Sequence, residues 1–215
     1  MEKKKKIILI SVISVIVLCI IIGIVCFIFM KSKNNNSDVS KVSELYAKLV
    51  EKESYDVTIT KDEKNKTYYA KQGDKAYTCD IYNGEESKFI IRDGNSYLIR
   101  ESDKAYFTYN NNESSLKRVE TALDEIKDLE FTTGKEKLGN KNYKYEEYKQ
   151  LTELSMIFES EIEDTQEVIT RFYFEKDKLA YIKTIVGDKE EILKVEIRDN
   201  VDSNLFNIPN DYTAR

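Results

Sequence analysis

The chain has 215 residues, with 34 basic and 39 acidic side chains and no histidine. The absence of imidazole excludes His-based catalytic triads and Cys-His dyads, and it removes the commonest zinc ligand. The excess of acid argues against a nucleic-acid partner, because clustered Lys and Arg would be needed to bind one. We therefore predict a protein that is not an enzyme and that has no metal and no cofactor.

The first feature along the chain is an apolar run, residues 7–30, that contains no charged residue. At about 1.5 Å per residue a helix of this length reaches roughly 36 Å, enough to cross a hydrocarbon core of about 30 Å. A cleaved secretory signal has a shorter apolar region, of about 7 to 15 residues, and a small-residue cleavage site. A lipid-attachment signal requires a small residue before the cysteine, whereas Leu18 precedes Cys19 and Val25 precedes Cys26. The run is therefore predicted to be a permanent transmembrane signal anchor.

The lysines that flank the run predict its orientation. Four of them, Lys3 to Lys6, precede the run, and only Lys31 and Lys33 follow closely. The more basic flank stays in the cytoplasm, so the large domain is expected outside a single-pass cell membrane protein. The predicted parts are a cytoplasmic tail (1–6), the anchor (7–30), a linker (31–37) and one extracytoplasmic domain (38–215).

Outside the anchor the composition is that of a sheet-rich domain without disulfides. All 15 Tyr of the chain lie there, against seven of its nine Phe, which suits half-buried strands. Cys79 is the only cysteine after residue 30, so no intramolecular disulfide forms there, and its alternation with Tyr77 and Ile81 predicts a buried structural thiol. The richness in Lys, Ile and Asn is typical of a Gram-positive bacterium with an AT-rich genome.

The segment after the linker, "DVSKVSELYAKLVEK", has apolar residues at spacings of three and four. This period predicts an amphipathic helix, capped by Ser37 or Asp38. The predicted apolar stripe consists of Val39, Val42, Leu45, Tyr46, Leu49 and Val50.

From Tyr55 the apolar period changes to two, as in "YDVTI" and "AYTCDIY". The turn sequences "QGDK", "NGEE", "RDGN" and "ESDK" separate the alternating runs at intervals of about ten residues. Residues 55–109 are therefore predicted to form about six antiparallel strands in a meander.

A second amphipathic helix is predicted over residues 114–129, followed by further strands. The later strands are separated by the turn sequences "EKDK" and "GDKE", and the closing "LFNIPNDY" is expected to dock on the sheet edge.

The segment 151–165 has four possible interpretations: a strand extension, a short helix, an acidic connection and a lid. Its carboxylates lack the glycine and the ligand spacing of a calcium loop.

These elements predict an α+β fold, a large curved antiparallel sheet of about 11 strands. The sheet is expected to be an unclosed half-barrel covered by two or so amphipathic helices, behind one N-terminal transmembrane helix. The element order, with "DGNSYLIRESDKAYFTY" and "LFNIPNDY", resembles the LolA-like and mycobacterial LppX/LprG-like lipoprotein-carrier superfamily over residues 38–215. The resemblance implies a non-enzymatic protein that holds acyl chains or senses lipidated partners. The chain differs from typical members in its uncleaved anchor without a lipid-attachment site.

The leading functional hypothesis is an extracytoplasmic protein that binds a lipid or a lipidated partner in an apolar groove. The alternatives are an envelope scaffold with a solid core and a surface hydrolase built on a pair of carboxylates. The predicted groove residues are apolar positions on alternating strand faces, with two helix residues above them: Val57, Ile59, Tyr77, Ile81, Phe89, Ile91, Tyr97, Ile99, Leu123 and Ile126.

Overall fold

The computed structural model describes residues 39–110, 116–153 and 165–215. The predicted tail, anchor and linker lie outside these ranges, and no helix within them is long and apolar enough to span a membrane. The helices are α1 (Lys41–Val50) and α2 (Arg118–Asp124), and single 3-10 turns cover Glu101–Asp103 and Ser203–Phe206. The strands are β1 (Ser54–Thr60), β2 (Lys66–Gln72), β3 (Lys75–Tyr82), β4 (Glu85–Arg92), β5 (Asn95–Arg100), β6 (Ala105–Asn110), β7 (Phe131–Leu138), β8 (Lys141–Glu153), β9 (Thr165–Glu175), β10 (Lys178–Val186), β11 (Lys189–Arg198) and β12 (Thr213–Ala214).

The strands follow one hydrogen-bonded order, β12-β6-β5-β4-β3-β2-β1-β11-β10-β9-β8-β7. The α+β class and the six-strand meander are confirmed. The twelfth strand is the short β12, which pairs parallel to β6 and so confirms that the closing segment docks at a sheet edge. The chain divides into two compact units, one containing Val50–Arg118 with Leu193–Arg215 and the other containing the described part of Val15–Leu49 with Val119–Ile192.

Turns of two residues set the register of β2 to β5 in the first unit. Asn83 and Gly84 have φ of 52° and 83°, and Asp93 and Gly94 have φ of 53° and 73°. Positive φ at both central residues is the type I′ geometry, whose twist matches that of the flanking strands. The predicted turns "NGEE" and "RDGN" are therefore confirmed, with Tyr82 paired to Glu85 and Arg92 to Asn95 across them.

This register sorts the side chains of β1 to β6 onto two faces. One face, here called the Val57 face, carries Val57, Tyr69, Thr78, Phe89, Leu98 and Phe107, which are paired in this order from strand to strand. The other face, here called the Tyr77 face, carries Tyr68, Tyr77, Ile90, Tyr97 and Tyr106 with their neighbours. Cross-strand pairs lie on the same side of a sheet, and a shift of one residue would exchange the two faces.

In the second unit a buried carboxylate fixes the start of α1. Glu146, on β8, accepts hydrogen bonds from the backbone N–H of Lys41 at 2.6 Å and of Val42 at 3.2 Å. It also accepts from Ser40 Oγ at 2.9 Å and from the Tyr148 hydroxyl at 3.0 Å. The first N–H groups of a helix have no partner within it, so this carboxylate satisfies donors that burial would otherwise leave unpaired.

The cap of α1 differs from the prediction. Ser37 and Asp38 lie outside the described residues, and Ser40 is the cap, since its Oγ accepts from the Ser43 N–H at 3.1 Å. The stripe also narrows, because Val39 and Val50 are 71% and 51% exposed. Helix α2 is shorter than predicted and ends at Asp124, but the hydrogen-bonded turns that follow still bury Ile126.

The other face of β7 to β10 carries a network of charged and aromatic side chains. Glu136 accepts from Arg171 at 2.7 Å, from the Tyr173 hydroxyl at 2.6 Å and from Lys183 at 3.0 Å. Burial raises the pKa of the Glu136 carboxyl, but the three donors outweigh it, so the net pKa lies below the usual value. This network gives the unit a pH-sensitive contribution to stability.

Replacing Glu146 by Ala is expected to lower the free energy of unfolding by about 2 to 4 kcal/mol, because it strips the cap from α1 and leaves buried N–H donors unpaired. Urea denaturation measures the change. Glu44→Ala, at an exposed position of the same helix, is the matched control and should change stability by less than about 0.5 kcal/mol. Equal effects of the two substitutions would show that Glu146 does not hold the helix.

The lowered pKa of Glu136 predicts an acid dependence of stability. A depressed carboxyl pKa contributes stability that is fully present above the unfolded value near 4.5 and is lost as the pH falls through the folded pKa. The free energy of unfolding should therefore fall less steeply below about pH 4.5 in Glu136→Gln than in the wild type. Glu130→Gln, at an exposed position just before β7, should leave the wild-type slope unchanged.

Candidate functional site

The structure divides the predicted groove residues between two faces and two units. Val57, Ile59, Phe89 and Ile91 lie on the Val57 face, whereas Tyr77, Ile81, Tyr97 and Ile99 lie on the Tyr77 face. Leu123 and Ile126 are buried in the second unit. The prediction that these ten residues share one groove is therefore corrected, since opposite faces of one sheet cannot line a common cavity.

The Tyr77 face is covered by residues 201–214, here called the closing segment. Ala70, Tyr77, Cys79, Ile90 and Ile99 form a buried cluster with Phe206, which is 2% exposed. The partly buried residues packed against this cluster come from the strands and from the closing segment: Tyr68, Ile81, Tyr97, Tyr106, Val201, Leu205, Ile208 and Tyr212. Four of the ten predicted groove residues are thus core residues beneath the closing segment.

Polar contacts hold this closing segment in place. Arg92 Nη1 donates to the Phe206 carbonyl at 3.3 Å, and the Arg92 guanidinium lies 5.7 Å from the centre of the Tyr97 ring. The Tyr212 hydroxyl donates to the Glu101 carboxylate, which raises the pKa of Tyr212 to about 12 and lowers the pKa of Glu101. These contacts act together with the pairing of β12 to β6, so the segment is fixed at several points.

Cys79 lies within this closed core, which confirms that it is buried, as the sequence predicts. Its side chain is 9% exposed, and the structure shows it as a free thiol. Burial raises the pKa of the Cys79 thiol, so little of the reactive thiolate forms at neutral pH. The thiol is therefore part of the packed core, and its reactivity depends on whether the closing segment covers it.

The Val57 face has a buried floor and a partly exposed margin. Val57 and Ile91 are 3% and 5% exposed, and the Ile59 side chain is also buried. Toward the sheet edge, Phe89, Leu98 and Phe107 are directly paired across β4, β5 and β6, and each is only partly buried. These three residues, here called the apolar row, form a continuous strip of apolar surface that solvent reaches.

The buried Asp80 carboxylate holds the segment before α2 against the β2 and β3 part of the Val57 face. Asp80, which is 4% exposed, accepts from Thr67 Oγ1 at 2.8 Å, and Arg118 lies 3.8 Å from its carboxylate. The Tyr69 hydroxyl donates to the Leu116 carbonyl at 2.6 Å. Residues 116–118 are thereby held against β2 and β3, away from the apolar row.

Arg100 borders the apolar row. The Arg100 guanidinium lies 4.7 Å from the centre of the Phe107 ring and forms a paired hydrogen bond and ion pair with Asp103. The Asp103 partner raises the pKa of Arg100, and Arg100 lowers the pKa of Asp103. The row thus has an apolar body and a charged end, an arrangement that suits an amphiphile.

Leu98 and Phe107 are missing from the predicted set, although the apolar row depends on them. The signal for Leu98 is present in the sequence, because the two-residue loop at Asp93-Gly94 dictates that Leu98 pairs with Phe89. Phe107 pairs with Leu98 across the longer connection 101–104, which has no such two-residue turn. In the described ranges no group of three or more Cys, Asp or Glu side chains is placed to hold a metal ion.

No protein-family model matches the chain, and no curated protein sequence does. Among solved structures, the Mycobacterium tuberculosis lipoprotein LppX is similar to it with a TM-score of 0.42 and 13% identity, covering 75% of this chain and 94% of that one. A conserved protein from Thermus thermophilus is similar with a TM-score of 0.48 and 10% identity, covering 80% of this chain and 96% of that one.

Phe206→Ala is expected to lower the free energy of unfolding by about 3 to 5 kcal/mol, because it opens a cavity in the Tyr77-face core. It should also expose the Cys79 thiol. The rate of modification by a thiol reagent, in a background with Cys19→Ser and Cys26→Ser, measures that exposure. Asn207→Ala, at the exposed neighbouring position, is the control and should leave the rate unchanged. Unchanged thiol reactivity in a folded Phe206→Ala protein would contradict closure of this face by the segment.

Proposed function

We propose that this chain is a non-enzymatic, single-pass membrane protein whose extracytoplasmic domain holds or senses a lipid, an acyl chain or a lipidated partner on the Val57 face. The observation that carries the proposal is the apolar row. Its three side chains are paired edge to edge across strands about 4.8 Å apart, so they present a strip about 10 Å long. A strip of this kind, continuous with a buried apolar floor, takes an apolar chain along its length.

The predicted anchor supports this reading from the sequence. Residues 7–30 would fix the domain beside the outer face of a bilayer, where lipids and lipidated proteins are abundant. A fixed protein of this kind acts locally, receiving or sensing a ligand from the same membrane. The proposed cellular location is the cell membrane, with residues 1–6 in the cytoplasm and the folded domain outside.

The charged end of the row supports an amphiphilic ligand. Arg100 keeps 41% of its side chain exposed while Asp103 holds it beside Phe107. An acyl chain along the row would bring its polar head close to this guanidinium. Arginine donates in a planar fork that suits carboxylate and phosphate groups.

The second candidate function is an envelope scaffold that acts through protein contacts. The observation that favours it is the Tyr77 face, where the closing segment leaves a solid core rather than a groove. A protein built only for rigidity would fill both faces in this way. Either a lipid or a protein partner would cover the partly exposed apolar row, so the cross-linking experiment that follows separates the two candidates.

Photochemical cross-linking tests the binding proposal. The full chain is reconstituted in vesicles containing a diazirine-bearing fatty acid, irradiated and digested, and mass spectrometry locates the cross-linked residues. We expect cross-links within residues 85–110, apart from those in the anchor. Leu98→Glu should lower their yield at least about ten-fold, because it places an unpaired carboxylate against the acyl chain.

The control is Thr108→Glu, which introduces the same charge on β6 at an exposed position of the Tyr77 face. It should leave the cross-links unchanged. Circular dichroism checks that both variants retain the wild-type fold. An absence of cross-links in 85–110, or equal yields from the two variants, would reject the binding proposal and favour the scaffold.

A further inference from the structure

The two ends of the second unit carry opposite charge. The β7-β8 turn and the β9-β10 turn lie at one end, since β7 pairs with β8 from Leu138 and Lys141 onward and β8 pairs with β9 from Lys144 and Phe174. This end, here called the basic end, holds five lysines and two carboxylates: Lys41, Lys137, Lys141, Lys176, Lys178, Glu175 and Asp177. The surplus is positive although the chain as a whole has a net charge of −5.

Both carboxylates of the basic end are already paired. Glu175 binds Lys141, and Asp177 lies 3.0 Å from Lys41 Nζ. The other three lysines, Lys137, Lys176 and Lys178, are exposed, and none makes an ion pair within the described part of the chain. Their charge is therefore available to a partner from outside.

The opposite end, here called the acidic end, contains the start of β7, the start of β9 and the β10-β11 turn. Among the described residues, this end carries Asp128, Glu130, Glu167, Asp188 and Glu190 together with Lys127, Lys149 and Lys189. Two of these lysines are paired there, Lys127 with Asp128 and Lys149 with Glu167. The unit therefore has a charge gradient along its strands.

The chain enters the unit beside the basic end. Lys41, at the first position of α1, donates from Nζ to the Lys176 carbonyl at 2.6 Å and pairs with Asp177 in the same turn. Ten residues, 31–40, separate the predicted anchor from this point. Fully extended, they reach at most roughly 35 Å, so the entry point stays close to the bilayer surface.

We propose that the basic end docks on the anionic lipid headgroups of the membrane that anchors the chain, with the acidic end directed away from that membrane. The inference rests on the anchoring proposed above. Each lysine near an anionic surface raises the ratio of docked to undocked molecules roughly five-fold. The lysine must lie within a Debye length of the surface, which is about 10 Å at 0.1 M salt. Repulsion of the acidic end from the same surface selects the orientation.

Energy transfer from a labelled protein to the membrane tests the orientation. The full chain, with Cys19→Ser and Cys26→Ser, receives a donor dye at Asn140→Cys in the β7-β8 turn or at Asp188→Cys in the β10-β11 turn. It is reconstituted in phosphatidylcholine vesicles, with or without phosphatidylglycerol, that contain a lipid-borne acceptor. We expect phosphatidylglycerol to increase transfer from position 140 but not from position 188. The increase should disappear in about 1 M salt, where the Debye length is about 3 Å.

Charge reversal supplies the matched comparison. Lys137→Glu with Lys178→Glu should lower the ratio of docked to undocked molecules by more than about 25-fold and abolish the increase. Lys149→Glu with Lys189→Glu makes the same change of net charge at the acidic end. This double variant should retain the increase in energy transfer that phosphatidylglycerol causes. Equal transfer with and without phosphatidylglycerol, or equal loss in both double variants, would overturn the docking proposal.

Flotation of the same vesicles in about 1 M salt separates this proposal from the one on which it rests. A chain that floats but shows no effect of phosphatidylglycerol is anchored and does not dock by its basic end. A chain that no longer floats lacks the anchor, and that result overturns the anchoring and the docking together.

Discussion

The register of the β1 to β6 meander is the constraint on which the first unit depends, and two-residue turns impose it from β2 to β5. With Asn83 and Gly84 at positive φ, Tyr82 must pair with Glu85, and every later pair on these strands follows. A slip of one residue at this turn would move Phe89, and the strands that follow it, to the Tyr77 face. Correct turns therefore place both the core and the candidate site.

The two faces of this meander differ in their cover. Among the described residues of the same unit, the closing segment packs on the Tyr77 face and not on the Val57 face. The closing segment fills the Tyr77 face with Phe206 and its neighbours, which makes the sheet a stiff support. The Val57 face is buried at its centre and partly exposed along the apolar row. A ligand on the row would therefore bind to a surface whose strands are already held in position from behind.

Local patterns in the sequence predicted the elements well, and distant contacts account for what was missed. Alternation and turn residues give the six-strand meander, because both act over a few residues. The predicted groove combines two faces because alternation within a strand does not say which face is covered, although Asp93-Gly94 implies that Phe89 and Leu98 are partners. The capping of α1 by Glu146 joins residues about a hundred positions apart and has no local signature. Cover of the Tyr77 face by Phe206 is equally remote in sequence.

Under the proposed anchoring, neighbouring copies of the chain would have a high effective concentration in one membrane, and the outer strand β7 has a consequence for them. An open strand edge invites a neighbouring chain to add a strand, and the resulting assembly grows without limit. At the middle of β7, Gly134 leaves room for the Tyr145 ring of β8, since a Cβ there would overlap that ring. Lys135 and Lys137 follow at exposed positions, so two β7 edges paired in parallel register, or antiparallel about residue 136, would bring these lysines together. Repulsion between these lysines would thus keep crowded copies of the chain from pairing through their β7 edges.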